Sequence, residues 1–137
     1  MEHIFVDTDV LIDFLIDSAP FSEYISVIFT SAELKKIQLY TTGMSLSNAY
    51  YVLRKYASHK SLIDKFEKIT SFVEIINLSK DSVLKGLKSD FSDLEDAFQN
   101  YSAEEHPNVE ILLTRNVKDY THSNLTIMTP EQYLMSK

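Results

Sequence analysis

The apolar triplet Ile4-Phe5-Val6, stopped at once by Asp7, most constrains what this chain can fold into. A run this short, apolar at every position and ended by a carboxylate, reads as a strand covered on both faces, as in a parallel sheet. The pattern then switches to helical spacing. Thr8 is placed to cap a helix over residues 9–16, with Leu11, Ile12, Leu15 and Ile16 on one face. Pro20 and Ser22 mark a second helix start near Phe21, followed by the stripe Ile25, Ile28, Phe29 and Leu34. Further strands are expected over 39–42, 72–76, 109–113 and 125–128. Helices are expected to open at Ser45 or Ser47 and to cover 62–69, 81–87 and 92–105. The last of these carries Leu94, Ala97, Phe98 and Tyr101 as its apolar face and ends at His106-Pro107. Residues 116–120 read as a turn or short helix, and Pro130 begins a terminal helix. Strands alternating with helices predict an α/β sandwich around a mainly parallel sheet. Only two glycines and three prolines occur in 137 residues, and no repeat or linker divides them. One domain over 1–137 is therefore expected.

An apolar fraction of 45% is enough for a packed core. The absence of cysteine excludes a disulfide framework and thiolate metal sites. Acids or polar residues interrupt every apolar stretch before it reaches membrane length, so no membrane association is expected. The N-terminus has no basic start and meets acid at once, so the expectation is a cytoplasmic protein without a signal peptide. The net charge of −7 argues against nucleic-acid binding by the surface as a whole. It is compatible with an acidic site that meets phosphate through a bound cation, and with a basic partner.

Open α/β sheets build their sites at the carboxyl ends of strands. Asp7 follows the first strand directly, and Thr114-Arg115-Asn116-Val117-Lys118-Asp119 follows the fourth. Asp93 and Asp96 open the helix before that strand and share one side of it, with Asn100 four residues beyond Asp96. Clusters of oxygen ligands alone suit Mg²⁺ or Mn²⁺, which keep waters and bind phosphate oxygens. Plainer roles compete: Asp7 as a helix cap, Asp93 and Asp96 as first-turn acids favoured by the helix dipole, Asn116 and Asp119 as turn formers. His3, His59, His106 and His122 lack ligand spacing.

Five segments in order make the chain resemble a PIN domain, the metal-dependent nuclease fold of many VapC-type toxins. They are Ile4-Phe5-Val6-Asp7-Thr8-Asp9-Val10-Leu11-Ile12, Ser45-Leu46-Ser47-Asn48-Ala49-Tyr50-Tyr51-Val52-Leu53, Asp90-Phe91-Ser92-Asp93-Leu94-Glu95-Asp96-Ala97, Leu113-Thr114-Arg115-Asn116-Val117-Lys118-Asp119-Tyr120 and Thr129-Pro130-Glu131-Gln132-Tyr133-Leu134. The resemblance implies a three-layer sandwich and cleavage of single-stranded RNA by metal-activated water. It implies that Asp7, Asp96 and Asp119 are catalytic and hold Mg²⁺ or Mn²⁺, with Asp93 as a neighbouring metal candidate. Thr8, Asp9, Asn48, Thr114 and Asn116 would support them. Arg115, Arg54 and Lys55 are candidates for RNA contact, although Arg115 could equally pair with an acid of the site. Tyr50, Tyr51 and Tyr56 are candidates for base stacking, a core or a dimer surface. VapC-type relatives are toxins held by an antitoxin, and a homodimer is a common arrangement among them. The sequence departs at one position. The family usually has a glutamate in the helix after the second strand, where this chain has Asn48. A second reading follows, a catalytically weak PIN-like module that binds RNA or a protein partner.

Overall fold

The computed structural model describes residues 1–16 and 21–137, with Phe21 described in its backbone alone. The Pro20 helix signal lies outside the described residues. Elements follow the expected alternation: β1 (Glu2–Val6), α1 (Thr8–Ile16), α2 (Phe21–Glu33), β2 (Ile37–Thr42), α3 (Gly43–Leu53), α4 (His59–Ile69) and β3 (Val73–Ile76). Then come α5 (Lys80–Lys88), α6 (Leu94–Glu105), β4 (Ile111–Leu113), a 3₁₀ turn (Val117–Tyr120), β5 (Thr126–Met128) and α7 (Pro130–Met135). No described helix is long and apolar enough to cross a membrane.

The five strands form one parallel sheet in the order β3-β2-β1-β4-β5. Alternation along β1 builds the three layers. Ile4 and Val6 face a core shared with Val10 and Leu11 of α1, Ile25, Ile28 and Phe29 of α2, and Tyr133 of α7. Phe5 faces the opposite core with Tyr40, Ala103, Leu112 and Tyr120. A satellite cluster of Leu15, Ala49, Leu53 and Leu62 ties α1, α3 and α4 together. From β1 the chain steps to β2 and β3 on one side, then crosses to β4 and β5 on the other. The crevice between the carboxyl ends of β1 and β4 is thus the switch point where such sheets place ligands. Asp7 and Thr114 stand there, and the Asp7 backbone N–H donates to Leu113 O at 2.9 Å.

Several local expectations change. Thr8 is the first residue of α1, and its hydroxyl reaches across to α6. α3 opens at Gly43 with Thr42 as its cap, before either serine expected to start it. α6 begins at Leu94 with Asp93 as its N-cap. Its buried residues are Ala97, Gln99, Asn100, Ser102 and Ala103, while Leu94 is 49% exposed. The apolar stripe read from the sequence is thus buried in part, with Ala97 buried and Phe98 and Tyr101 half-buried, while the helix also buries the polar Gln99, Asn100 and Ser102. Ile16 and Leu34 are also exposed, at or just beyond the ends of their helices.

Candidate functional site

Asp7 is buried and held by three side chains from distant parts of the chain. Gln99 Nε2 donates to Oδ1 at 2.8 Å, Thr114 Oγ1 to Oδ2 at 2.8 Å, and Tyr120 Oη to Oδ2 at 3.1 Å. Gln99 is fully buried in α6 and organises the cluster. Its Oε1 lies within hydrogen-bond distance of the Thr8 backbone N–H (3.0 Å), Thr8 Oγ1 (3.1 Å) and Ser45 Oγ (2.9 Å). An inverted amide would set its NH₂ against the Thr8 N–H, so these partners fix its orientation. Polar groups this deep remain only because each is satisfied.

Asp96 lies one helical turn before Gln99, and its Oδ1 is 3.4 Å from Tyr120 Oη. Tyr120 has one proton for two carboxylates, and the shorter distance gives it to Asp7. Burial, then the charges of Asp7 and Asp96, push the Tyr120 hydroxyl far above its usual range, so it remains a donor. Burial raises the Asp7 carboxyl too, against the lowering effect of its hydrogen bonds. Burial, followed by repulsion from Asp7, Asp93, Asp119 and Glu95, raises Asp96 to about 7.

Asp9 and Asp13 face the same crevice one turn apart on α1. Asp9 Oδ2 is 3.4 Å from both the Arg115 backbone N–H and Asn116 Nδ2, while its Oδ1 is buried with no hydrogen-bond partner. Burial and the charge of Asp7 raise Asp9 to about 8, against the pull of Arg115. Asp13 is buried, and Arg115 Nε lies 3.0 Å from its Oδ2. Of the two roles open to Arg115 in the sequence, the structure displays pairing with an acid. Asn116 also anchors its loop through its N–H to Thr114 Oγ1, at 3.1 Å.

The remaining expected residues lie nearer the surface. Asp93 is exposed, and its Oδ1 accepts from the Asp96 N–H at 2.9 Å, a capping bond. Asp119 is exposed on the 3₁₀ turn, close enough for its charge to raise Asp96. Asn48 points into the cluster from α3, where its Nδ2 donates to Glu95 Oε2. Arg54 and Lys55 are exposed just beyond the C-terminal end of α3, and Arg54 Nη1 donates to Tyr50 Oη at 2.6 Å. Tyr51 and Tyr56 are exposed, which leaves the stacking and dimer roles open and excludes the core role for these two.

Sequence reasoning missed Gln99, Tyr120, Asp13 and Glu95. Asp13 carried a signal, an acid four residues after Asp9 in an otherwise apolar helix. Gln99 carried one as well, at three residues from Asp96, but Asn100 was favoured in its place. Asn100 instead donates to Glu104 Oε2 at 2.7 Å.

The donor set is oxygen alone, and Asp9 Oδ1 is a buried acceptor without a donor among the described residues. Among the described residues no group of three or more Asp, Glu or His side chains is placed to hold a metal ion. Such a set fits a cation like Mg²⁺ or Mn²⁺, which is bound through one or two carboxylates and keeps several waters. It does not fit a cation that demands a full protein cage.

Comparison with known proteins agrees with this architecture. The family model described as PIN domain matches residues 3–118. Ribonuclease VapC1 of Aquifex aeolicus (strain VF5) is 26% identical over 137 residues, spanning 96% of this chain and 93% of that protein. Among solved structures, the VapBC2 complex of Rickettsia felis bound to a DNA fragment from its promoter aligns with TM-score 0.67 at 18% identity, covering 93% of this chain and 98% of that one. VapBC-1 of nontypeable Haemophilus influenzae aligns with TM-score 0.66 at 14% identity, covering 94% and 98%. These structures share the fold, and the family match extends over most of the sequence: the chain belongs to the PIN domain family.

Proposed function

We propose that this chain is a Mg²⁺- or Mn²⁺-dependent endoribonuclease that cleaves single-stranded RNA in the cytoplasm, as the toxin of a toxin–antitoxin pair. One observation carries the nuclease reading. Asp7 is clamped by Gln99, Thr114 and Tyr120 at the switch point, with Asp96 beside it on the same tyrosine. A carboxylate held by three donors is fixed in place before any ligand arrives, which is what a reactive site needs. Similarity to ribonuclease VapC1 supports the RNA substrate, and similarity to two VapBC complexes supports a protein partner.

In this reading Asp7 and Asp96 would hold the cation, with water completing its shell, and Asp119, Asp93 and Asp9 would add charge around it. When bound, the cation lowers the pKa of a water and offsets the phosphodiester's charge. The chain's own groups do the rest. Gln99 and Thr114 keep Asp7 from rotating. Tyr120 keeps its proton and donates it to Asp7, with its oxygen standing between Asp7 and Asp96. Asp119, at the exposed lip, stands where a strand of RNA enters.

The amide at position 48 favours a second reading, a weakly catalytic module that binds RNA or a protein partner. A labelled single-stranded RNA incubated with the protein separates the two. The nuclease reading expects cleavage with Mg²⁺ or Mn²⁺, none with chelator, and a loss of at least about 100-fold in Asp7→Asn. Equal cleavage by Asp7→Asn would contradict it. RNA binding without cleavage would favour the second reading.

A further inference from the structure

Asn48 leaves the α3 side of the cluster without a charge of its own. Its Nδ2 donates to Glu95 Oε2, a residue 47 positions away on α6. Thr8 Oγ1, from the residue after Asp7, lies 3.3 Å from the same oxygen. Among the described residues Glu95 Oε1 takes no hydrogen bond. The single Thr8 hydroxyl proton goes to the nearer Gln99 Oε1 at 3.1 Å, so Glu95 Oε2 is held by the Asn48 amide, and Oε1 is left open. Glu95 also precedes Asp96, and its charge is among those that raise the Asp96 carboxyl.

A plainer role for Glu95 is the first-turn acid that favours a helix N-terminus. That role needs no partner on another element. Here α3 supplies an amide donor to Glu95, on the side where Thr8 of α1 also lies. The identity of residue 48 follows from this contact. A carboxylate there would face the Glu95 carboxylate at hydrogen-bond distance, and two like charges so close repel. An amide donates instead, and the repulsion is absent.

We propose that Glu95 is the carboxylate this site uses in place of an acid on α3, and that Asn48 is a positioning residue that aims it. The negative charge reaches the cluster from α6 rather than from α3. The inference rests on reading the cluster as a divalent-cation site.

The test is Mn²⁺ affinity by calorimetry on the full chain at neutral pH, with metal-free unfolding midpoints confirming that each variant folds. Four variants are compared with the parent: Glu95→Gln, Asn48→Ala, the exchange Asn48→Glu with Glu95→Gln, and Asp7→Asn. Glu95→Gln is expected to weaken Mn²⁺ at least about ten-fold, and Asn48→Ala by a smaller factor in the same direction. The exchange keeps one acid and one amide facing each other, and it is expected to restore affinity to within about three-fold of the parent. A role limited to the α6 dipole would give no such rescue. Should Glu95→Gln fold poorly, Glu95→Ala takes its place in the comparison. Parent-like affinity in Glu95→Gln, with binding lost in Asp7→Asn, would overturn this inference alone. An exchange no better than Glu95→Gln would also overturn it. A parent chain that binds no Mn²⁺ would overturn the cation-site reading and this inference together.

Discussion

Gln99 Nε2 lies 2.8 Å from Asp7 Oδ1, a hydrogen bond that spans 92 residues of sequence and joins the end of β1 to the middle of α6. It couples fold to site, because the same amide carries the Thr8 N–H and the Ser45 hydroxyl on its oxygen. Removing it strands a carboxylate, a backbone donor and a hydroxyl in a buried space.

Gln99→Leu is therefore expected to destabilise the chain by about 3 kcal/mol, the scale for buried polar groups left without partners. Urea unfolding measures this directly. A change under about 0.5 kcal/mol would mean that water replaces the amide.

Much of the fold was legible because the strands are short apolar runs and the helices between them carry apolar residues at helical spacing; the helix starts were less so, since caps outside the apolar pattern set them. Thr42, Ser58, Ser79, Asp93 and Thr129 each cap a helix. Asp7 was legible because an acid directly after an apolar strand is placed by the sheet itself. The interior of α6 was not. Period-based reading assigns the buried face to apolar residues, whereas α6 buries Gln99, Asn100 and Ser102. Only the positions of Asp7, Thr8 and Ser45, set by other elements, make Gln99 a core residue. Glu95 was hidden for the same reason, since its partner Asn48 is distant in sequence and near only in the fold.

Stability should fall with rising pH in the metal-free protein. Asp96 is raised to about 7 and Asp9 to about 8, from a usual 3.8. The folded state thus keeps protons that the unfolded chain has lost, and the stability this represents is present near pH 4 and lost as pH rises through 7 to 8. Glu2 and Glu105 are held low by their partners, so they titrate below this window. The melting temperature at pH 8.5 is expected to be at least about 5 °C below that at pH 5, with Mn²⁺ narrowing the gap. A melting temperature that rises over this range would contradict the assignment.

Arg115 faces Asp13, which is buried, while its own side chain is 37% exposed. Arg115→Ala is expected to cost about 2 kcal/mol, below the range for fully buried pairs because water screens the arginine. Adding Asp13→Asn should recover part of that loss, since it removes the buried charge that Arg115 faces. Denaturant unfolding of the two single variants and the double measures the coupling. Strict additivity would show that the pair does not interact.

Tyr120→Phe keeps the ring's contact with Phe91 and removes only the hydroxyl between Asp7 and Asp96. It is expected to cost about 1 kcal/mol in stability. RNA cleavage should fall about ten-fold or more, because Asp7 loses one of its three donors. Parent-like cleavage would show that Gln99 and Thr114 suffice to hold Asp7.

The central claim is that the carboxylates at the carboxyl ends of β1 and β4 form a cation site. Calorimetric titration with Mn²⁺ at pH 6.5, in two buffers of different ionisation enthalpy, tests it most directly. Asp9 and Asp96, raised to about 8 and about 7, hold protons at that pH that a dication must expel. The predicted result is one site, between about one and two protons released per Mn²⁺, and no binding in Asp7→Asn. Binding without proton release, or with unchanged affinity in Asp7→Asn, would contradict the claim.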